Sequence, residues 1–134
     1  MKWLLVGATG QIGYALAHAM AREGHDLTVL GRDGRLPFPD AVKVVQAPAF
    51  TAQAFRQALD GVDAVIYGVG IPEQFAFDTQ VFDRTNLDIF RSFLGELEQS
   101  SVRRLVYLST YEVFQAVDGL IRETHAPASP AGMT

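Results

Sequence analysis

The first thirteen residues constrain this chain more than any other stretch. Lys2–Val6 reads Lys-Trp-Leu-Leu-Val, a short apolar run of the kind that forms a buried strand. Gly7-Ala8-Thr9-Gly10-Gln11-Ile12-Gly13 follows, and an alanine-rich amphipathic stretch runs from Tyr14 to Glu23. Each glycine answers a separate demand. Gly7 permits a tight turn straight out of the strand. Gly10 has no Cβ, so a pyrophosphate can approach the backbone. Gly13 lets the helix lie close to the strand. The helix start then offers free N–H groups and a partial positive charge. Strand, glycine loop and helix, in that order, are the context of a dinucleotide-binding motif. Thr9, Gln11 and Ile12 join the three glycines as its candidate contacts. The spacing is Gly-x-x-Gly-x-x-Gly rather than the commoner Gly-x-Gly-x-x-Gly. The alternative is a plain strand-to-helix turn whose glycines are incidental.

Composition narrows what such a start can lead into. At 134 residues the chain makes one domain with a real core. Charged residues are 19% and hydrophobic ones 49%, a globular balance. The net charge is −4 and no basic run occurs, which argues against nucleic acid and anionic membranes as partners. The chain has no cysteine, so thiol chemistry and disulfides are excluded. No apolar stretch reaches membrane-spanning length. The opening strand and glycines do not form a signal peptide, so a cytoplasmic protein is expected.

The pattern predicts a helix over about Gln11–Arg22, with Ile12, Ala15, Leu16, Ala19 and Met20 as its apolar stripe and Gly24 as its stop. Asp26–Leu30 reads as a second strand, Gly31-Arg32-Asp33-Gly34 as a turn, and Val42–Val45 as a third strand. Thr51 is a fitting N-cap for a helix to about Leu59. Val62–Tyr67 is a fourth strand, followed by Gly68-Val69-Gly70. A long helix is expected from Asp78 or Thr79 to about Gln99, with Phe82, Ile89, Phe90, Phe93 and Leu97 on a wide apolar face. Arg104–Leu108 is a fifth strand, and residues 115–134 read as an irregular tail. His18 and His25 read as surface residues and His125 as part of the tail. With no ligand-like spacing among them, no metal site is expected. Asp60 and Asp63 read as turn and strand-start residues, and Trp3 as packing.

Short apolar strands alternating with helices imply an α/β, doubly wound parallel sheet. Right-handed crossovers give the strand order 3-2-1-4-5. Ligands then sit outside the carboxyl ends of the strands, at the switch between the first and fourth. The glycine loop, Gly31-Arg32, Gly68-Val69-Gly70 and Ser109-Thr110 all fall at such ends.

Taken together, these segments resemble the N-terminal Rossmann part of an extended short-chain dehydrogenase/reductase, of the NAD-dependent epimerase/dehydratase family. The glycine loop matches that family's phosphate loop. Gly61-Val62-Asp63-Ala64-Val65-Ile66 matches its fourth-strand motif, and Asn86 stands where the family has an asparagine on the long helix. Val102–Thr110 followed by Val113-Phe114 is similar to the fifth strand and its serine/threonine segment. Glu123 with Pro127 and Pro130 resembles the stretch before the family's Tyr-x-x-x-Lys. The resemblance implies hydride transfer between C4 of a nicotinamide and a bound hydroxyl or carbonyl. It makes Thr110, with Ser109 beside it, the hydroxyl that orients the substrate oxygen, and it adds Gly68, Val69, Gly70 and Asn86 to the cofactor contacts. A sugar nucleotide is the commonest substrate it implies, and a homodimer paired through the long helices is the assembly it implies. Read without it, Ser109 and Thr110 cap the next turn.

The departures are specific. Tyr14, Tyr67, Tyr107 and Tyr111 are followed four residues on by His18, Ile71, Tyr111 and Gln115, so no tyrosine–lysine pair is present. The expectation is that the pair lies past Thr134 in a longer protein and that these 134 residues alone do not turn over. Gln46-Ala47-Pro48-Ala49 stands in place of the family's adenine-binding aspartate, Gly68-Val69-Gly70 in place of alanines, and Gln115 where glycine is common. At the end of the second strand, where NAD enzymes carry an acid for the ribose 2′-hydroxyl, Gly31-Arg32 offers a guanidinium suited to a 2′-phosphate. NADP is the expected cofactor, with NAD the alternative if Asp33 serves the ribose. A second class stays open: an NADP-sensing regulatory protein of the atypical branch, with the glycine loop and the arginine but no turnover.

Overall fold

The computed structural model describes residues 1–32, 37–71, 78–110, 113–114 and 119–127. Asp33, Gly34, Tyr111, Gln115, Pro130 and the rest of the tail from Ala128 on lie outside the described residues. Strand β1 (Lys2–Val6) sits at the centre of a parallel sheet. Helix α1 (Gln11–Arg22) follows it, then β2 (Asp26–Gly31), β3 (Lys43–Gln46), α2 (Ala52–Leu59) and β4 (Ala64–Tyr67). Helix α3 (Thr79–Asp83) continues through a π-helical turn (Arg84–Asp88) into α4 (Ile89–Leu97), and β5 (Arg104–Tyr107) ends the sheet. The strand order is β3-β2-β1-β4-β5, all parallel, as the sequence pattern implies.

Alternation along the strands builds two cores. Leu4 and Val6 point to one face of β1 and Leu5 to the other, and all three are fully buried. The first face packs Leu30, Val65 and Tyr67 against Phe55 of α2 and Phe93 of α4. The Phe55 and Phe93 rings meet edge to face at 5.4 Å. The second face packs Val29 and Ile66 against Ala17 and Met20 of α1. Helices thus cover both faces, which is what a parallel sheet needs. At their outer ends α2 and α4 are tied by a two-pronged ion pair, with both Arg56–Glu96 N···O distances 2.8 Å.

Local chemistry sets the element ends. The Thr51 side chain accepts from the Ala54 N–H at 3.2 Å to start α2, and the Asp78 carboxylate accepts from the Val81 N–H at 2.7 Å to start α3. Asp63 accepts from the Lys2 N–H at 2.7 Å, joining the starts of β4 and β1.

Two expectations change. The buried face of α1 is Gly13, Ala17 and Met20, while Ile12 is 66% exposed and Ala15 is also exposed. Met20 and Leu16 of the expected stripe do pack on the sheet, but the small residues Gly13 and Ala17 share that face and let the helix come close, which turns Ile12 and Ala15 outward. His18 is half-buried rather than on the surface. Its ring centroid lies 4.5 Å from that of Tyr14 and 6.3 Å from that of Phe38, and its buried Nε2 has no hydrogen-bond partner among the described residues. The wide apolar face of the long helix is largely spent inside the domain. Phe93 is fully buried, and Phe90 packs on Tyr67 and Tyr107 with centroids 4.8 Å apart in each pair. Ile89 and Leu97 pack on the same core. Val81 and Leu87 are the large apolar residues this segment leaves exposed. Among the described residues, no helix is long and apolar enough to cross a membrane.

Tyr67 is 1% exposed and its hydroxyl has no partner among the described residues. Burial, with Tyr107 adding to it, pushes its phenol well above the ordinary tyrosine range. A buried unpaired hydroxyl costs stability, and an apolar group of the same shape does not. Tyr67→Phe is therefore expected to raise stability by about 1 kcal/mol in urea denaturation. A loss of that size would show that the hydroxyl is bonded.

Candidate functional site

The carboxyl ends of β2, β1, β4 and β5 lie side by side, spanning three interstrand spacings, about 14 Å. Four loops meet along this edge. The glycine loop leaves β1, Gly31-Arg32 ends β2, Gly68–Ile71 leaves β4, and Leu108-Ser109-Thr110 leaves β5. Backbone hydrogen bonds extend the strands into them. The Gly68 N–H donates to Val6 O at 2.9 Å, the Ala47 N–H to Gly31 O at 3.0 Å, and the Leu108 N–H to Tyr67 O at 3.0 Å.

The glycine loop is where sequence and geometry meet most tightly. Gly7 has φ +92°, a conformation L side chains rarely adopt. A Cβ there would lie 2.8 Å from the Gly68 carbonyl carbon and oxygen, so the loops after β1 and β4 touch backbone to backbone. A Cβ on Gly13 would lie 2.3 Å from Gly7 O. Gly10 differs from both. It has φ −78° and ψ 167°, open to any residue, and among the described residues its Cβ would meet only Gly7 O, at 3.4 Å. Packing therefore requires Gly7 and Gly13 but not Gly10.

Gly10 is the N-cap of α1, with no side-chain cap and no acidic residue in the first turn. The first-turn N–H groups have no partner inside the helix, and here none is supplied by a capping side chain. Such an end suits an anion. Gln11 and Ile12 are exposed beside it, and Thr9 is half-buried.

Across β4, Gly70 is exposed while Val69 packs against the core. Asn86 holds this loop. Its Nδ2 donates to Ile71 O at 2.9 Å and its Oδ1 accepts from the Ile71 N–H at 2.8 Å. Gly70 lies under the same amide, since a Cβ there would come within 3.2 Å of Oδ1. Asn86 thus joins the site through the backbone it clamps. It is presented by the π-turn, an irregularity often found at functional positions. Ser109 and Thr110 are exposed at the end of β5, and the Val113 N–H donates to Thr110 O at 3.4 Å.

Arg32 is exposed at the end of β2, with its guanidinium carbon 5.7 Å from the Phe50 ring centroid. Phe50 was not legible as a site residue. Its only sequence signal is its place just before the Thr51 cap, past the stretch where an acid is missing.

A family model described as NAD(P)H-binding matches residues 7–130, and the chain belongs to that family. None of the curated proteins matches the sequence. Among solved structures, UDP-glucuronic acid 4-epimerase from Bacillus cereus, in complex with UDP-glucuronic acid and NAD, superposes with TM-score 0.79 at 19% identity, over 96% of this chain and 46% of that one. MoeE5 in complex with UDP-glucose and NAD gives TM-score 0.79 at 21% identity, over 99% of this chain and 45% of that one. Uronate dehydrogenase from Agrobacterium tumefaciens gives 0.71 at 23% identity, over 85% of this chain and 42% of that one. The chain therefore spans less than half the length of these proteins. It has the fold of the N-terminal Rossmann part of extended short-chain dehydrogenases/reductases.

Proposed function

We propose that this domain holds a nicotinamide dinucleotide along the carboxyl edge of the sheet and serves a hydride-transferring oxidoreductase, epimerase or dehydratase, with NADP preferred and a nucleotide sugar as substrate class. The observation that carries this reading is Gly10. The fold does not need a glycine there, yet a side chain would project beside an uncapped helix start. A pyrophosphate explains both, because it needs close backbone approach and free N–H donors.

In this reading the first-turn N–H groups of α1 hold the pyrophosphate. The Gly68–Gly70 loop, clamped by Asn86, lines the middle of the cofactor. Arg32 pairs with the 2′-phosphate through its planar donors. When bound, the nicotinamide supplies or accepts hydride at C4. Ser109 and Thr110 hold the substrate oxygen by hydrogen bonds and do not carry its proton near neutral pH. The NAD-bound epimerase and the UDP-sugar complexes with the same fold support the cofactor and the substrate class.

Calorimetric titration of NADP⁺ and NAD⁺ into the chain and its variants tests this. Arg32→Ala is expected to weaken NADP⁺ roughly tenfold or more, the worth of a charged hydrogen-bonded contact, and to leave NAD⁺ nearly unchanged. Equal losses for both cofactors would mean that Arg32 contacts something they share.

A further inference from the structure

Arg32 forms no ion pair with a carboxylate among the described residues. Its contact is aromatic instead, with the guanidinium carbon 5.7 Å from the Phe50 centroid, within cation–π range. Phe50 is itself held. It stacks on Phe55 with centroids 5.9 Å apart and planes 14° from parallel. Phe55 is fully buried and meets Phe93 edge to face. A series of rings thus runs from the core between the sheet, α2 and α4 out to an exposed arginine at the end of β2.

The geometry suits one purpose. With the Arg32 guanidinium over the Phe50 ring, the N–H donors turned away from the ring stay free. Phosphate is bound through such N–H donors, two at a time. The ring and the phosphate therefore do not compete. Without the ring, a long solvated side chain would have to be ordered at the moment of binding, which weakens affinity.

We infer that Phe50 is the positioning residue for Arg32, so that preference for NADP over NAD is set by the Phe50–Arg32 pair and not by the arginine alone. This rests on the reading of Arg32 as the 2′-phosphate contact. Phe50→Leu keeps an apolar group of similar bulk against Phe55 and removes the aromatic face.

The test is a double-mutant cycle on the full chain, with NADP⁺ and NAD⁺ titrated into wild type, Phe50→Leu, Arg32→Ala and the double variant, and thermal unfolding confirming that each is folded. Phe50→Leu is expected to weaken NADP⁺ about threefold, the size of an exposed cation–π contact, and to leave NAD⁺ unchanged. Once Arg32 is alanine, Phe50→Leu should cost nothing further. Phe50→Trp should hold NADP⁺ at least as tightly as wild type, because indole is the best cation–π face. Equal weakening of both cofactors by Phe50→Leu, or the same loss with Arg32 absent, overturns the pairing while a selective Arg32→Ala loss keeps the NADP reading. A wild-type chain that binds both cofactors equally, or neither, overturns the two together.

Discussion

Gly13→Ala should cost this domain about 3 kcal/mol or more, toward the upper end of what overpacking does. The added methyl would stand 2.3 Å from Gly7 O and 2.9 Å from both Gly7 C and Ala8 Cα. All three are backbone atoms of the turn that joins β1 to α1, so no side chain can swing away to make room. Relief comes only by lifting α1 off the sheet. That would open the contact of Ala17 and Met20 with the buried Leu5, Val29 and Ile66. Domains of this size are held by only about 5–15 kcal/mol, so the loss is a large share of the total. Urea denaturation reads it as a lower midpoint at unchanged slope, by about 1 M or more at common slopes. A change under about 1 kcal/mol would show that the helix rides outward freely and that Gly13 is not a packing requirement.

The sequence disclosed the sheet because its strands are apolar runs cut by glycines and caps. Lys2–Val6 and Gln11–Arg22 appear in the structure with the bounds the pattern gives, and Thr51 caps α2 as its side chain allows. What stayed hidden depends on contacts between distant segments. The burial of α1 turns on how closely Gly13 and Ala17 let it approach, which hydrophobicity does not encode, and so Ile12 looked like core and is exposed. The π-turn at Arg84–Asp88 has no local signature, yet it presents Asn86 to the Ile71 backbone. Phe50 reaches Arg32 only because β3 lies beside β2. The family resemblance named Asn86, and the place at the end of β2 named Arg32, but only packing shows what each leans on.

Gly10→Val separates what the fold needs from what a ligand needs. The fold should accept it. The backbone at φ −78° and ψ 167° is extended, where β-branched residues are at ease, and the Cβ has an ordinary contact to Gly7 O. Replacing glycine at an N-cap by valine costs about 1 kcal/mol of stability, well within the margin of a domain this size. Binding should not survive. The branched side chain would stand over the uncapped start of α1 and hold a pyrophosphate away from the N–H groups there. Losing two charge-assisted hydrogen bonds, at about 1.5–3 kcal/mol each, amounts to roughly a hundredfold or more in Kd. Calorimetry with NADP⁺ and with NAD⁺ should show the same loss, since both carry the pyrophosphate, in contrast to the selective loss expected at Arg32. Gly13→Ala should fail in the opposite order, in stability before affinity. If folded Gly10→Val binds either dinucleotide as wild type does, the glycine loop is only a strand-to-helix turn, and the cofactor must be sought elsewhere.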